Sequence, residues 1–305
     1  MRLGVLDVGS NTIHLQVVDA HPGARPTPTT NHKVELRLTE YLDSKGAITP
    51  EGIALLIQGI DGAIAHAKSF KTEEILAFAT SAIRESKNGL EIIATINRKY
   101  ELDLQILSGE EEARITFLAV RRWLGWSSGK LLVIDIGGGS LELATGVDES
   151  PEVAISFPLG AARLTREFIS AGTIPAKGLK NLQNYVDETL QNKMPLKLRS
   201  HNADHFVATS KTFRTLARLA NHWYGDDPQA LEANTLLGLI PKLIEMKNEE
   251  RSKLPGISGA RAQQIVAGAI VAQSVMDNLN ISELEICPWA LREGVILKWL
   301  DWNER

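Results

Sequence analysis

The sequence lacks most of the residue types that mark secreted, zinc-binding or nucleic-acid-coating proteins. Its only cysteine is Cys287, which excludes an intramolecular disulfide and a cysteine-based zinc site. Basic residues are outnumbered by acidic ones, and the formal net charge of −4 argues against a protein that coats nucleic acid. A polyanionic ligand would therefore need basic residues that are gathered locally rather than spread over the surface.

Long hydrophobic runs are missing as well. Asp7 interrupts the apolar N-terminus before a signal-peptide core develops. No stretch reaches the ~20 apolar residues of a membrane-spanning helix, and even residues 264–275 are too short and contain Gln273. We therefore expect a cytoplasmic protein with no membrane or nucleic-acid partner, and a single thiol suits the reducing cytosol.

What the sequence does have is an internal repeat. The segment LGVLDVGSNTIHL at 3–15 recurs as LLVIDIGGGSLEL at 131–143. In both copies a short apolar run carries an acid near its end and is followed by a Gly/Ser turn and a second run, which predicts a β-hairpin. The chain has 305 residues, and the repeat spacing is about one domain length. We predict two similar domains, 1–124 and 125–305, that flank a cleft, with the C-terminal helix at about 289–302 packing back on the first.

Strands and helices alternate along the rest of the chain, which predicts an α/β fold. Thr49 is the expected N-cap of the first helix because Pro50 suits the first helical position. Arg37 lies in a stretch of alternating polarity and is interpreted as a solvent-facing strand residue. Residues 126–129 are the predicted linker. Further strands are expected at 74–79, 103–107, 152–158, 205–208 and 283–286, and helices at 50–70, 88–100, 110–124, 161–171, 177–190, 211–221, 263–278 and 291–302.

The two hairpin turns are candidate phosphate sites. A turn of small residues lets backbone N–H groups converge on an anion, and the acids Asp135 and Glu142 beside the second turn are natural ligands for a hard ion such as Mg²⁺. Either turn alone is equally consistent with a tight hairpin whose acid caps it, but two copies in register favour paired phosphate loops. The turn residues are Gly9, Ser10, Asn11 and Thr12 in the first copy, flanked by Asp7 and His14, and Gly137, Gly138, Gly139 and Ser140 in the second.

Three further segments carry polar groups at predicted turns. Glu110, Glu111 and Glu112 open a helix, where acids are favoured by the helix dipole; the other interpretation is that one of them orients or deprotonates a water. Residues 80–84 follow a strand and end in Arg84, which suits phosphate contact or a solvated loop. Residues 209–212, with Lys211, leave the same two interpretations open.

Together these motifs resemble the exopolyphosphatase and guanosine pentaphosphate phosphohydrolase (Ppx/GppA) family, within the actin-like ATPase superfamily and its ribonuclease H-like fold. The match spans nearly the whole chain and is most similar to the short actinobacterial exopolyphosphatases. The motifs occur in order as DVGSNT at 7–12, TSAIR at 80–84, SGEEEA at 108–113, DIGGGSLE at 135–142 and ALREG at 290–294.

The resemblance implies a role for each motif. Glu112 matches the glutamate that activates the attacking water, and Asp135 and Glu142 match magnesium-linked carboxylates, with Asp7 close to metal or water. Residues 9–12 and 137–140 match the phosphate loops, and Arg84 matches a phosphate-contacting arginine. The implied reaction is Mg²⁺-dependent hydrolysis of the terminal phosphate of inorganic polyphosphate, with Mn²⁺ as the alternative ion.

Several alternatives stay open at this stage. Guanosine pentaphosphate (pppGpp) is a second candidate substrate, although residues 208–212 lack the glycines of an adenosine-binding loop and Lys211 suits an extra phosphate. A non-catalytic sensor of polyphosphate or nucleotide is disfavoured by the acids beside the phosphate loops. A sugar kinase or chaperone-type ATPase is disfavoured by the missing adenosine loop. Homodimers are common in the family, but no stretch identifies an interface.

Overall fold

The computed structural model describes residues 1–21, 23–169 and 174–303. The chain forms two compact units, one made of Met1–Thr116 and Leu291–Arg305 and the other of Phe117–Ala290. The change from the first unit to the second falls inside a helix, and the expected linker forms a short 3₁₀ helix, Trp126–Ser128, in the second unit. Within the described ranges, no helix combines the length and the apolar character needed to cross a membrane.

The first unit contains a five-stranded mixed sheet in the order β3-β2-β1-β4-β5. β1 pairs antiparallel with β2 and parallel with β4, so it lies in the middle of the sheet. Its strands and helices are β1 (Arg2–Val8), β2 (Thr12–Asp19), β3 (Pro28–Glu35), α1 (Pro50–Ser69), β4 (Glu74–Ala79), α2 (Ser81–Arg84), α3 (Gly89–Tyr100), β5 (Leu104–Ile106) and the start of α4 (Gly109–Leu124).

Local sequence explains the start of α1 and its packing. Thr49 caps the helix by accepting a hydrogen bond from the Gly52 N–H at 3.3 Å. The buried face of α1 presents Leu56, Ile60 and other side chains to the apolar residues of β1 and β2. This burial is the main stabilising contribution in the first unit, because the free energy of burial follows the apolar area removed from water.

The second unit contains a six-stranded mixed sheet in the order β10-β11-β9-β6-β7-β8. The long helix α11 is buried on nearly all sides and belongs to the core cluster of this unit. The strands and helices are β6 (Leu131–Ile136), β7 (Leu141–Gly146), β8 (Val153–Phe157), α5 (Ala161–Phe168), α6 (Ala176–Lys193), α7 (Leu196–Arg199), β9 (His205–Ala208), α8 (Ser210–Tyr224), β10 (Ala230–Glu232), α9 (Ala233–Glu245), α10 (Asn248–Arg251), α11 (Gly259–Asn278) and β11 (Glu283–Ile286).

The last helix, α12 (Leu291–Asn303), belongs to the first unit. Its buried residues Ile296 and Leu300 cluster with Leu3 and Val5 of β1. Near its start, a Cβ on Gly294 would lie 2.1 Å from the Ile115 carbonyl oxygen, so only glycine allows the backbones of α12 and α4 to approach this closely.

Most predicted elements are present, and three strands, β4, β9 and β11, have the predicted bounds. The interpretation of Arg37 as a strand residue is wrong, because β3 ends at Glu35 and Arg37 has a left-handed backbone with φ 50°. The N–H groups of Leu36 and Arg37 both donate to the Asn11 carbonyl, which turns the chain out of the sheet. The helix predicted at 161–171 ends at Phe168, and positions 170 and 171 lie outside the described residues.

Candidate active site

The two predicted hairpins are present and have the same local geometry. The Gly9 N–H donates to the Thr12 carbonyl at 3.0 Å, and the Gly137 N–H donates to the Ser140 carbonyl at 2.9 Å. Across each hairpin, Asp7 pairs with His14 and Asp135 pairs with Glu142. The sequence repeat is therefore a structural repeat in which the acid and the turn keep their register.

The carbonyl oxygens of the turn 137–140 are bound by the start of α5. The Gly137 carbonyl accepts from the Ala161 N–H at 3.0 Å, and the Gly138 carbonyl accepts from the Ala162 N–H at 2.9 Å. The Gly139 carbonyl accepts from the Arg163 side chain, through Nε, at 2.8 Å. Three successive carbonyls of the turn are thus directed towards one helix.

This arrangement sets the direction of the N–H groups of the turn. In a trans peptide the carbonyl of one residue and the N–H of the next point in opposite directions. The N–H groups of residues 138, 139 and 140 therefore point away from α5, to the same side of the turn. A row of N–H groups on one side is a site for an oxyanion such as phosphate.

Gly160, directly before α5, is what allows this contact. A Cβ at this position would lie 2.2 Å from the Gly139 carbonyl carbon and 2.3 Å from the Ser140 nitrogen. Both are backbone atoms of the turn and have no side-chain freedom with which to move away. Gly160 is therefore required by the close approach of two backbone segments.

Asp135 and Glu142 are held as a pair of carboxylates beside this turn. They are cross-strand neighbours on β6 and β7, a position that places Cβ atoms roughly 4.5–5.5 Å apart. Thr209 donates to Asp135 Oδ2 at 2.9 Å, and Ser156 donates to Glu142 Oε1 at 2.8 Å. Hydroxyl donors behind the carboxylates orient them, as outer partners do at metal sites.

These residues fit the metal that the family resemblance implies. Paired carboxylate oxygens are the donors that Mg²⁺ and Mn²⁺ prefer, and Mg²⁺ commonly takes one or two protein carboxylates and completes its shell with water and phosphate. In the part of the chain that the structure describes, no three His, Cys, Asp or Glu side chains group as a metal site.

The polar contacts of the first turn, residues 9–12, differ from those of the second turn. The Ser10 hydroxyl lies 3.0 Å from the Ser81 hydroxyl, so the first turn contacts the start of α2. Asp7, the third predicted metal ligand, accepts a hydrogen bond at Oδ2 from Arg292 of α12 at 3.0 Å. Burial raises the pKa of the Asp7 carboxyl, and the charge and hydrogen bond of Arg292 oppose that rise. Sequence reasoning did not connect Asp7 with Arg292.

His14 occupies the position that matches Glu142 in the second hairpin, but its chemistry is different. Burial and then the positive charge of Arg292 lower the pKa of His14 from 6.5 to about 4. The ring is therefore neutral at physiological pH, and its Nε2 lies 3.0 Å from Asn31 Oδ1, to which it donates. The first hairpin thus carries no second negative charge opposite its acid.

The structure distinguishes the three glutamates at the start of α4. Glu110 forms an exposed ion pair with Arg114 at 2.7 Å. Glu111 accepts from the Ser108 N–H at 2.8 Å while its own N–H donates to the Ser108 hydroxyl at 3.2 Å, which is a capping box. Glu112 is buried, so the predicted capping role of the acids explains only its neighbours.

Glu112 is held by Arg84, the predicted phosphate-binding arginine. Arg84 NH1 donates to Glu112 Oε1 and also to the Leu107 carbonyl, the latter at 2.7 Å. A neighbouring guanidinium favours the charged form of a carboxylate. Arg84 and Glu112, which are 28 positions apart in sequence, are thus brought together, with the carboxylate fixed in orientation.

A profile of the Ppx/GppA phosphatase family matches residues 16–303. The chain belongs to this family. It is 49% identical to Exopolyphosphatase 1 of Mycobacterium tuberculosis, over 99% of this chain and 89% of that protein. It is 48% identical to Exopolyphosphatase 1 of Mycobacterium leprae, over 99% of this chain and 90% of that protein. The predicted family is confirmed, and the chain is a hydrolase.

Two solved structures show the Ppx/GppA fold of the chain. An exopolyphosphatase from Cytophaga hutchinsonii aligns with a TM-score of 0.87 and 25% identity, over 99% of this chain and 98% of that one. The Aquifex aeolicus member of the Ppx/GppA family aligns with a TM-score of 0.79 and 26% identity, over 99% of each chain. The predicted α/β class is confirmed by the two mixed sheets and their helices, and the fold is that of the Ppx/GppA proteins.

Several residues that contact the predicted site residues, in one unit or the other, were not predicted to do so. Thr209 had been singled out only as part of a polar turn, and it binds Asp135; Lys211 follows it in the first turn of α8. Gly160 had no distinguishing sequence signal, because a glycine directly before a helix is an ordinary N-cap residue. Gln16 and Arg292 had no sequence signal that linked them to the first hairpin.

We expect Gly160→Ala to lower the free energy of unfolding by about 1–3 kcal/mol, since the added methyl group meets backbone rather than a mobile side chain. Chemical denaturation of the purified protein measures this loss. The matched control is Gly137→Ala, whose added Cβ would be 3.5 Å from the Ser140 carbonyl oxygen, an ordinary contact. Equal losses in the two variants would contradict the role assigned to Gly160.

Acid should destabilise the protein in part through His14. Because the pKa of His14 is about 4 in the folded protein and near 6.5 in the unfolded chain, the unfolded state binds more protons between these values. The free energy of unfolding should therefore fall as the pH is lowered through this window. Denaturation curves of His14→Gln should decline less steeply than those of the wild type, whereas the exposed His222→Gln should keep the wild-type slope.

Proposed function

We propose that this protein is an exopolyphosphatase that removes the terminal phosphate of inorganic polyphosphate. The observation that carries the proposal is the 49% identity to Exopolyphosphatase 1 of Mycobacterium tuberculosis across nearly the whole chain. The local structure supports it, since the predicted general base is buried and held by an arginine, and the predicted metal carboxylates are oriented by hydroxyl donors.

In the proposed reaction Glu112 is the general base. A carboxylate that accepts the proton of a water while the water oxygen bonds to the terminal phosphorus contributes on the order of 10²–10⁴-fold to the rate. The bond from that phosphorus to the bridging oxygen breaks, and the shortened chain leaves with the electron pair. Arg84 prevents the carboxylate from turning away from the water. The attack is direct, with no phosphoenzyme intermediate.

Asp135 and Glu142 are the proposed ligands of Mg²⁺, with Mn²⁺ as the alternative. The ion, when bound, neutralises charge that develops on the transferred phosphoryl group. The residues of the chain supply the rest. Thr209 and Ser156 keep the two carboxylates in place, and the N–H groups of the turn 137–140 bind phosphate oxygens from the side opposite α5.

Inorganic polyphosphate is preferred over guanosine pentaphosphate as the substrate. The segment at 208–212 has no glycine that would let a purine approach the backbone. Lys211 in this segment favours an additional phosphate instead. Guanosine pentaphosphate is the second candidate substrate, which the same residues would hydrolyse more slowly.

Replacing Glu112 tests the reaction. We expect Glu112→Gln to keep polyphosphate binding and to release orthophosphate at least ~10²-fold more slowly, because the amide cannot accept the proton of the water. Orthophosphate release is measured by a colorimetric assay and binding by calorimetry.

The matched control for this variant is Glu110→Gln, which removes a carboxylate of the same helical turn that is paired with Arg114 at the surface. It should keep wild-type activity. Near-wild-type turnover by Glu112→Gln would remove Glu112 from the mechanism. Faster turnover of guanosine pentaphosphate than of polyphosphate by the wild type would reverse the ranking of the two substrates.

Metal removal tests the second part of the proposal. Activity should be lost with EDTA and return with Mg²⁺, and Thr209→Val should raise the Mg²⁺ concentration for half-maximal activity by about tenfold or more. Thr215→Val is the matched control, since Thr215 is an equally buried threonine whose hydroxyl donates to the Lys211 carbonyl within α8. Full activity in EDTA would contradict the metal requirement.

A further inference from the structure

Arg292 connects the last helix with the first hairpin. It donates through NH1 to Asp7 Oδ2 at 3.0 Å and through Nε to Gln16 Oε1 at 3.2 Å. Gln16 in turn donates through Nε2 to Glu293 Oε1 at 3.3 Å. Residues 276 positions apart in sequence thus form one polar network on the strand pair β1 and β2. None of these contacts is explained by the proposed roles of Glu112, Asp135 and Glu142.

The chemistry of the network fixes its orientation. An arginine only donates hydrogen bonds and an ionised carboxylate only accepts them, so Gln16 can satisfy both neighbours in one amide orientation alone. Gln16 is 2% exposed and Glu293 is 8% exposed, so neither can turn to water without losing these bonds. The guanidinium of Arg292 is consequently held in place from two sides.

The guanidinium of Arg292 binds Asp7, the acid that lies beside the first turn. The other oxygen of that acid, Asp7 Oδ1, is 3.7 Å from where a Cβ on Gly9 would stand, so the acid adjoins the first glycine of the turn. The side chain of Arg292 is 23% exposed, which leaves it open to a ligand. A guanidinium has five N–H donors, and the bonds to Asp7 and Gln16 use two of them.

The two hairpins therefore differ in charge. In the second hairpin two carboxylates face each other, Asp135 and Glu142, and hydroxyl groups are the donors to them. In the first hairpin the acid is paired with a guanidinium, and the residue opposite it is His14 rather than a second acid. An acid that is already bound by a guanidinium is a poor additional ligand for a cation, whereas a fixed guanidinium is a strong phosphate ligand.

We propose that Arg292 is a phosphate-binding residue of the first turn, and that Asp7 is its positioning residue rather than a metal ligand. This inference rests on the proposed function and assigns a different role to each hairpin. The hairpin of β1 and β2 binds a phosphate of the substrate through Arg292, and the hairpin of β6 and β7 holds the metal. Gln16 positions Arg292 by binding its Nε, and Glu293 holds Gln16.

Two binding measurements on the full-length protein test the proposal without turnover. In the first, calorimetry with tripolyphosphate in EDTA should show at least about tenfold weaker binding for Arg292→Met, because a charged donor to phosphate is lost. Arg292→Lys should lie between this variant and the wild type. Lys298→Met, which removes an exposed charge from the same helix, should bind as the wild type does.

In the second measurement, calorimetry with Mn²⁺ in the absence of phosphate should give the same affinity for Asp7→Asn as for the wild type, within about twofold. Asp135→Asn should bind Mn²⁺ at least about tenfold more weakly. Circular dichroism confirms that each variant is folded. Should Arg292→Met fail to fold, the comparison of Arg292→Lys with Lys298→Met decides the first measurement.

The outcomes separate this inference from the proposed function. Unchanged tripolyphosphate binding by the folded arginine variants, no binding by the wild type in EDTA, or a loss of Mn²⁺ affinity in Asp7→Asn as large as in Asp135→Asn would each overturn the inference. A wild type that binds tripolyphosphate through Arg292 but releases no orthophosphate with Mg²⁺ would contradict the proposed function alone.

Discussion

The hydrogen bonds between the turn 137–140 and the start of α5 are the constraint on which the geometry of this turn in the second unit depends. They bind three successive carbonyls of the turn and so determine where its N–H groups point. The contact requires a glycine at 160, because two backbone segments approach to a distance that no side chain permits. The proposed anion site is thus a matter of backbone geometry, which is consistent with small residues in the turn although Gly137 is not among the positive-φ glycines of the described chain.

In each sheet, the strand order places a threonine that follows a parallel strand next to the hairpin strand. β1 and β6 each have an antiparallel hairpin partner on one side and a parallel strand on the other. The parallel strands β4 and β9 are followed directly by Thr80 and Thr209, whose backbones are nearly identical, with φ −118° in both and ψ −153° and −156°. Each threonine leads directly into a helix beside a hairpin turn. Carboxyl ends of adjacent strands are where α/β folds place their ligands.

Sequence reasoning succeeded where a feature is local. The hairpin repeat, the cap at Thr49 and most strands follow from runs, turns and caps that lie within about a dozen residues. It failed at β3, which is a half-exposed edge strand without an apolar run, and at α9, whose pattern contains Pro241. Sequence reasoning singled out the acids Glu112 and Asp7 but did not predict which side chains bind them. Their partners, Arg84 and Arg292, are distant in sequence and reach them only in the tertiary structure.

The duplication extends beyond the two hairpins and includes one buried glutamate in each copy. Arg84 donates to the carbonyl of Leu107, which follows β5, and Arg214 donates to the carbonyl of Pro288, which follows β11. Five residues after each of these carbonyls is a buried glutamate, Glu112 or Glu293. The copies then differ in their partners, since Glu112 accepts from the guanidinium of Arg84, whereas Glu293 accepts from the Gln16 amide. The proposed roles follow this difference, since Glu112 is the proposed base and Glu293 contacts Arg292 only through Gln16.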